Sequence, residues 1–284
     1  MPRQHINGIE LYYELGGDGD TIVAVHGSWV DHTSWQLVVP GLTQHFRVLT
    51  YDRRGHSRSE RPIGQSARRI DEDDLAALIE TLGLAPAHLV ANSYGASIAL
   101  GLAARRPELV RSVVAHEPPL LDAADPATAL GVEIARLRAL IDEIADQVRA
   151  GEYEAGAARF VEEVALGPGM WPILPLPMRQ VMAANAPTIV DMLGDRSWAT
   201  VPDPVNVSTP VLLTDGDASP TWLSANVRAL AAYPYRHATR HTFAGAGHAP
   251  HLTHAAEYVA VIGRWVEHWS ERAPLAPAHD HDAA

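Results

Sequence analysis

The segment Ala91-Asn92-Ser93-Tyr94-Gly95 places a hydroxyl where it can act as a nucleophile. The apolar run Ala87-His88-Leu89-Val90 before it reads as a buried strand, and Ala96 to Arg106 after it reads as a helix stopped at Pro107. A serine at such a strand-to-helix corner must take a strained backbone angle, which neighbours without bulk permit. The strain lifts the hydroxyl clear of the sheet, and the start of the helix favours negative charge beside it. A free serine hydroxyl is a weak nucleophile near neutral pH, so the chemistry needs a base within hydrogen-bond reach. The competing reading of Ser93 is a plain helix N-cap.

Three further blocks accompany the corner. Thr21-Ile22-Val23-Ala24-Val25-His26-Gly27-Ser28-Trp29 is an apolar strand ending in His-Gly. Arg47-Val48-Leu49-Thr50-Tyr51-Asp52 is a strand that runs into Arg53-Arg54-Gly55-His56-Ser57-Arg58-Ser59, a Gly/Ser turn. Near the C-terminus, Gly245-Ala246-Gly247-His248-Ala249-Pro250 sets a histidine among glycines that let a loop curl. In this order the four blocks resemble the α/β-hydrolase superfamily, over about residues 9–271.

The resemblance implies a mostly parallel sheet flanked by helices, with an inserted helical cap and no cofactor. It makes Ser93 the nucleophile, His248 the base, and the backbone amides of Ser28 and Tyr94 the donors to a developing oxyanion. His26 and His56 are expected to brace loops. The superfamily's usual acid lies three residues past a glycine, after the strand that follows the cap. In Thr214-Asp215-Gly216-Asp217-Ala218-Ser219 that position falls on Ser219, which departs from the pattern. Asp217 and Asp215 stand nearby. Glu117 is the leading alternative: Val113-Val114-Ala115-His116-Glu117-Pro118-Pro119 is similar to the His-Glu-x-Pro segment of zearalenone lactonases, which take their acid from this earlier strand. A carboxylate there would hold the imidazole tautomer and stabilise its cation.

The elements that must position these residues follow from periodicity. An early antiparallel strand is expected at 9–15, then strands at 21–26 and 47–52. A helix is expected over Asp71 to Leu82, capped by Asp71, with Leu75, Leu78, Ile79 and Leu82 on one face. Strands at 87–92 and 111–116 continue the alternation of a parallel sheet. From 118 to 206 no strand is evident, and helices are expected at 129–150, 153–166 and 178–193, the last kinked at Pro187. Strands near 210–214 and 237–243 and helices from 221 and 254 complete the sheet. The expected division is a core of 1–117 and 207–272, a cap of 118–206, and a disordered tail of 273–284. Trp29, Trp171, Trp198 and Met182 are candidates to touch substrate under the cap, although each is also a natural core residue. Among them Trp171 stands out, because the Pro and Gly around it suggest a loop that presents rather than buries.

Composition narrows the function classes. The net charge of −12 argues against nucleic acid or an anionic membrane as partner. The basic stretch from Arg53 to Arg69 reads as a solvated loop. With no cysteine there is no disulfide, thiol catalysis or cysteine–zinc site. His248, His251 and His254 recur every third residue, but Pro250 breaks a shared helical face, so no metal site is expected. The N-terminus lacks an apolar signal segment and no run spans a bilayer, so a cytoplasmic location is expected. The expected activity is hydrolysis of a small apolar carboxylic ester or lactone through an acyl-enzyme. Carbon–carbon bond hydrolysis with the same residues, or a slow-turnover ligand receptor, are the alternatives.

Overall fold

The computed structural model describes residues 2–62, 64, 67–195, 197–203, 207–233, 235 and 237–271. The tail expected at 273–284 lies outside them. The strands are β1 (Arg3–Ile6), β2 (Ile9–Gly16), β3 (Thr21–Val25), β4 (Arg47–Tyr51), β5 (Ala87–Asn92), β6 (Val110–His116), β7 (Val211–Gly216) and β8 (Ala238–Phe243). They form one sheet in the order β1-β2-β4-β3-β5-β6-β7-β8, antiparallel at β1–β2 and β2–β4 and parallel from β4 onward. β1 has no counterpart in the sequence reading, because four residues of mixed polarity carry no usable period.

The central strands are apolar on both faces because both faces are covered. Alternate residues feed two separate cores. Val23, Leu89, Ala91, Val113 and Leu213 point into one, and Ile22, Ala24, Val90, Val114 and Leu212 into the other. The first core takes α2 (Arg68–Thr81), α3 (Tyr94–Arg105) and α8 (Thr221–Ala231). The second takes α1 (Val39–Leu42) and α10 (Ala255–Ser270), the latter preceded by α9 (Pro250–Thr253).

Between β6 and β7 the described residues hold no strand. They carry α4 (Ala129–Arg149), α5 (Tyr153–Arg159), α6 (Leu176–Asn185) and α7 (Thr188–Gly194). Thr128 caps α4 by accepting the Gly131 N–H at 3.1 Å. Ile134, Leu137, Ile141, Ile144 and Val148 then form a buried stripe that joins the first core. The single helix expected at 153–166 is instead α5 followed by a π-helical turn, Phe160–Ala165. The kink expected at Pro187 is a full break between α6 and α7, where the Thr188 hydroxyl donates to the Asn185 carbonyl at 2.7 Å.

Two expectations are corrected near α2. Asp71 does not cap it: the helix starts earlier, and the Arg68 N–H is taken by Asp195 of the insertion at 3.0 Å. Nor is the basic stretch wholly solvated. Arg53 and Arg54 are buried, and pair with Asp71 at 3.1 Å and Asp74 at 2.7 Å. A guanidinium is buried only when paired, and the partners lie 18 and 20 residues on, in α2, where no local pattern reveals them.

Candidate active site

Ser93 stands at the end of β5 with φ 54° and ψ −126°, in the left-handed half of backbone space that ordinary residues avoid. Gly95 explains why the turn can be this tight. A Cβ there would lie 2.3 Å from the Val25 carbonyl oxygen and 2.5 Å from that of His26, so the start of α3 presses directly on the end of β3. The Ser93 N–H donates to the His116 carbonyl at 2.8 Å, which extends the β5–β6 ladder by one rung.

Glu117 follows β6 on that same rung, also at positive φ (44°), and is fully buried. Its Oε1 accepts the Gly216 N–H at 2.9 Å, and its Oε2 accepts His248 Nδ1–H at 2.5 Å. His116 Nε2 stands 3.5 Å from Oε2, while its Nδ1 meets the Thr214 hydroxyl at 2.9 Å. Burial acts to raise the Glu117 pKa, but the two imidazoles and the Gly216 N–H outweigh it and hold the value at about 2. Burial pushes the His116 imidazole down to about 4, with His248 adding to the effect against Glu117. Glu117 is therefore a fixed negative charge behind a histidine whose other nitrogen is available.

The alternative carboxylates are engaged elsewhere. Asp217 is exposed and accepts the Gly245 N–H at 2.6 Å. Asp215 accepts the Thr242 hydroxyl at 2.7 Å. The usual acid strand thus contributes an amide to Glu117, through Gly216, rather than a carboxylate. The backbone carbonyl of His248 is held by Asn92 Nδ2 at 2.9 Å, so the histidine loop is tied to the strand that carries Ser93.

On the other side of Ser93, the strand-end loop at Gly27-Ser28-Trp29 is braced from below. His26 Nε2 accepts the Arg53 N–H at 2.9 Å, leaving Nδ1–H for the Gly27 carbonyl, also at 2.9 Å. Arg53 adds hydrogen bonds to the carbonyls of His26 and Gly27 at 3.2 and 3.1 Å. With these carbonyls occupied, the peptide after Gly27 is set against the corner, and Ser28 borders the same cavities as Ser93.

Two cavities meet at Ser93 and His248. One, of about 520 Å³, is lined by Val30, Met170, Leu174, Met178, Met182 and Leu252 among others. The other, of about 30 Å³, lies among Leu121, Ile141, Val164, Met192, Trp198 and Trp222. Met182 and Trp198 thus each border one cavity. Trp29 and Trp171 border neither. Trp29 is fully buried, stacks on Phe160 at 4.8 Å, and borders a void of about 10 Å³. The Pro/Gly loop does not present Trp171. It forms a short 3₁₀ turn that folds the indole inward beneath Arg179, while Met170 and Leu174 on either side face the cavity and Pro172 and Ile173 are exposed.

Among the described residues, two groups of side chains bring metal-ligating atoms within 4.8 Å of one another: His116, Glu117 and His248, and Asp31, His32 and Asp52. In each the carboxylate oxygens are already claimed. Both Glu117 oxygens accept hydrogen bonds, and Asp52 receives His32, from backbone and ring, and the Arg58 N–H. The donor set suits a hydrogen-bonded brace better than a cation cage.

Asn185, which carries no sequence signal, is the main stitch between the insertion and this loop. Fully buried, it accepts the Ser57 N–H at 2.9 Å and donates through Nδ2 to the Trp29 and Val30 carbonyls, each at 3.3 Å. Asn185→Leu would leave buried groups unpaired at about 1–3 kcal/mol each. The expected result is a melting temperature lower by several degrees, with restored order on returning the amide. An unchanged melting curve would show that water replaces the amide freely.

Residues 22–261 match the alpha/beta hydrolase family. The chain belongs to that family. Within it, the 2-(acetamidomethylene)succinate hydrolase of Mesorhizobium japonicum is 30% identical over 222 residues, covering 76% of this chain and 77% of that protein. The 2-hydroxymuconate semialdehyde hydrolase of a Pseudomonas species is 32% identical over 178 residues, 54% of this chain and 63% of that one. The chain spans about half the length of the foremost curated relatives it matches. In architecture the alpha/beta hydrolase fold is shared with the enol-lactonase of Burkholderia xenovorans, at a TM-score of 0.77, 22% identity, and 94% and 100% coverage of the two chains. No helix among the described residues is long and apolar enough to cross a membrane.

Proposed function

We propose that this chain is a serine hydrolase that cleaves a carboxylic ester or lactone through an acyl-enzyme. The reading rests above all on one contact, His248 Nδ1 to the buried, charged Glu117, with Ser93 and His248 bordering the same two cavities. In this reading Glu117 fixes the proton on Nδ1, so Nε2 is free to take the Ser93 proton as Oγ attacks the carbonyl carbon. The amides of Ser28 and Tyr94 receive the charge that forms on the carbonyl oxygen. Collapse expels the alcohol, which leaves with the proton from His248. A water then gives its proton to His248 and attacks the acyl carbon, releasing the acid and Ser93. Residues 118–206 serve as a cap that shapes the substrate space.

Carbon–carbon bond hydrolysis uses the same residues with a carbanion in place of the alkoxide. The likeness to the muconate semialdehyde hydrolase keeps it as the second reading. A receptor on this fold would bind without turnover. Mixing the protein with a chromogenic ester separates the hydrolase from the receptor. The expected result is a burst of chromophore stoichiometric with protein, and a mass gain equal to the acyl group, mapped to Ser93. Steady binding with no burst and no adduct would reject the hydrolase reading in favour of the receptor.

A further inference from the structure

The two cavities that meet at Ser93 differ in size by more than an order of magnitude, and they differ in access. The small one is walled mostly by buried side chains, with Leu121, Ile141, Val164, Met192, Trp198 and Trp222 at or below 7% exposure and Pro119 and Phe160 half-buried. Its 30 Å³ holds about two water-sized groups, since roughly 10–15 Å³ of such space is needed for one. The large one reaches the surface at Gln36, Leu37, Pro175 and Thr253, which are exposed.

The wall between them is the π-helical turn Phe160–Ala165, whose end residues Phe160 and Ala165 border both spaces. That wall is braced from two directions. The Phe160 ring stacks on the buried Trp29 at an interplanar angle of 13°, and Trp222 Nε1 donates to the Val164 carbonyl at 3.2 Å. The last carbonyls of a helix have no partner within it, and here the indole N–H donates to one of them. The partition is thus a built feature of the site.

We propose that the site selects open-chain esters of short acids with bulky apolar alcohols, the acyl group entering the closed lobe and the alcohol lying in the open cavity. This rests on the serine-hydrolase reading above. The order of bond events assigns the lobes. Ser93 Oγ bonds to the acyl carbon, the carbon–alkoxide bond breaks, and the alkoxide leaves with a proton from His248. The acyl group stays until water replaces Oγ. An alcohol lodged in the closed lobe would be shut in behind the acyl-serine and would block the water. An acyl group lodged there stays while the alcohol departs outward and water enters by the same route. Size sets the preference: the closed lobe admits an acetyl or propionyl tail, and the open cavity admits a group with a ring or branched chain. A lactone ring ties its alkoxide to its acyl chain, so it cannot divide itself between lobes separated by the Phe160–Ala165 wall.

The test uses the intact protein and two ester series. In the first, the leaving group is 4-nitrophenol throughout and the acid runs from acetate through butyrate and hexanoate to octanoate. The expected kcat/KM falls on the order of 10²-fold from acetate to octanoate, because methylenes that do not fit a hydrophobic pocket are rejected at about this level. In the second, the acid is acetate and the alcohol runs from methanol to cyclohexylmethanol; there kcat/KM is expected to rise about tenfold. Met192→Ala and, independently, Trp198→Ala enlarge the closed lobe and should raise the hexanoate-to-acetate ratio about tenfold. An acyl profile that is flat or rises with length, or a macrolactone hydrolysed faster than the cyclohexylmethyl acetate, overturns the assignment while leaving the hydrolase reading standing. Absence of turnover and of a Ser93 adduct with every ester takes down both.

Discussion

Ser93→Ala is expected to remove ester hydrolysis while the fold persists. Loss of a nucleophile of this kind costs on the order of 10⁴–10⁶ in kcat, and what remains comes from binding and the oxyanion donors. The fold should be nearly indifferent. Ser93 is half-buried at a corner, its backbone bond to His116 is retained, and alanine pays the same left-handed backbone cost as serine. A substitution with so little lost contact is worth roughly ±0.5 kcal/mol. Circular dichroism and a melting curve close to the parent, with activity at the detection limit, is the expected pair of results. A variant that kept more than about a tenth of the parent's turnover would remove Ser93 from the mechanism.

The second large effect is expected from Glu117→Gln. The amide oxygen can still accept the Gly216 N–H, so the pocket should keep its shape. The amide nitrogen, however, would face His248 Nδ1 as a donor. The ring would then accept at Nδ1 and carry its proton on Nε2, the nitrogen that must be free to take the serine proton. The wrong tautomer lowers kcat by about 10⁴ in comparable triads. Asp217→Asn and Asp215→Asn are expected to stay within about tenfold of the parent, since these carboxylates serve the Gly245 amide and the Thr242 hydroxyl. A larger loss for Asp217→Asn than for Glu117→Gln would move the acid to the loop after β7. Ser219 is no rival, because a hydroxyl carries no charge near neutral pH.

The sheet, the strand–helix corner at Ser93 and the helical character of 129–194 were legible because each is a short-range pattern. Apolar runs mark strands covered on both faces, and Ala91 and Gly95 mark a turn with no room for bulk. The approach of Glu117 to His248 is of another kind. It depends on the β5–β6 register and on a loop returning from 131 residues away, neither of which local spacing fixes. Buried Arg53 looks like any surface arginine until Asp71 and the Gly27 carbonyl are placed around it. Trp171 was misread because Pro and Gly imply a loop but say nothing of which side chain it turns inward. Asn185 could not be found from sequence at all. Asn92, by contrast, lies inside the corner pentapeptide, where a polar residue at the end of a buried, mostly apolar strand is a readable signal.

Asn92 pairs with His116 in the parallel ladder, so Ser93 and Glu117 leave the sheet side by side, one inter-strand spacing of about 4.8 Å apart. Viewed as a linkage, the proposed machinery has two members welded to one plate and a third on an arm. The plate is the β5–β6 pair, hydrogen-bonded along its length and buried at the centre of the sheet. The arm is the glycine-bearing loop around His248, fastened by the Asn92 amide and the Glu117 carboxylate. Any slackness in the alignment of the three is therefore slackness of that arm. The expected first step of heat inactivation is the unhooking of one imidazole, with activity lost before the sheet's circular dichroism signal.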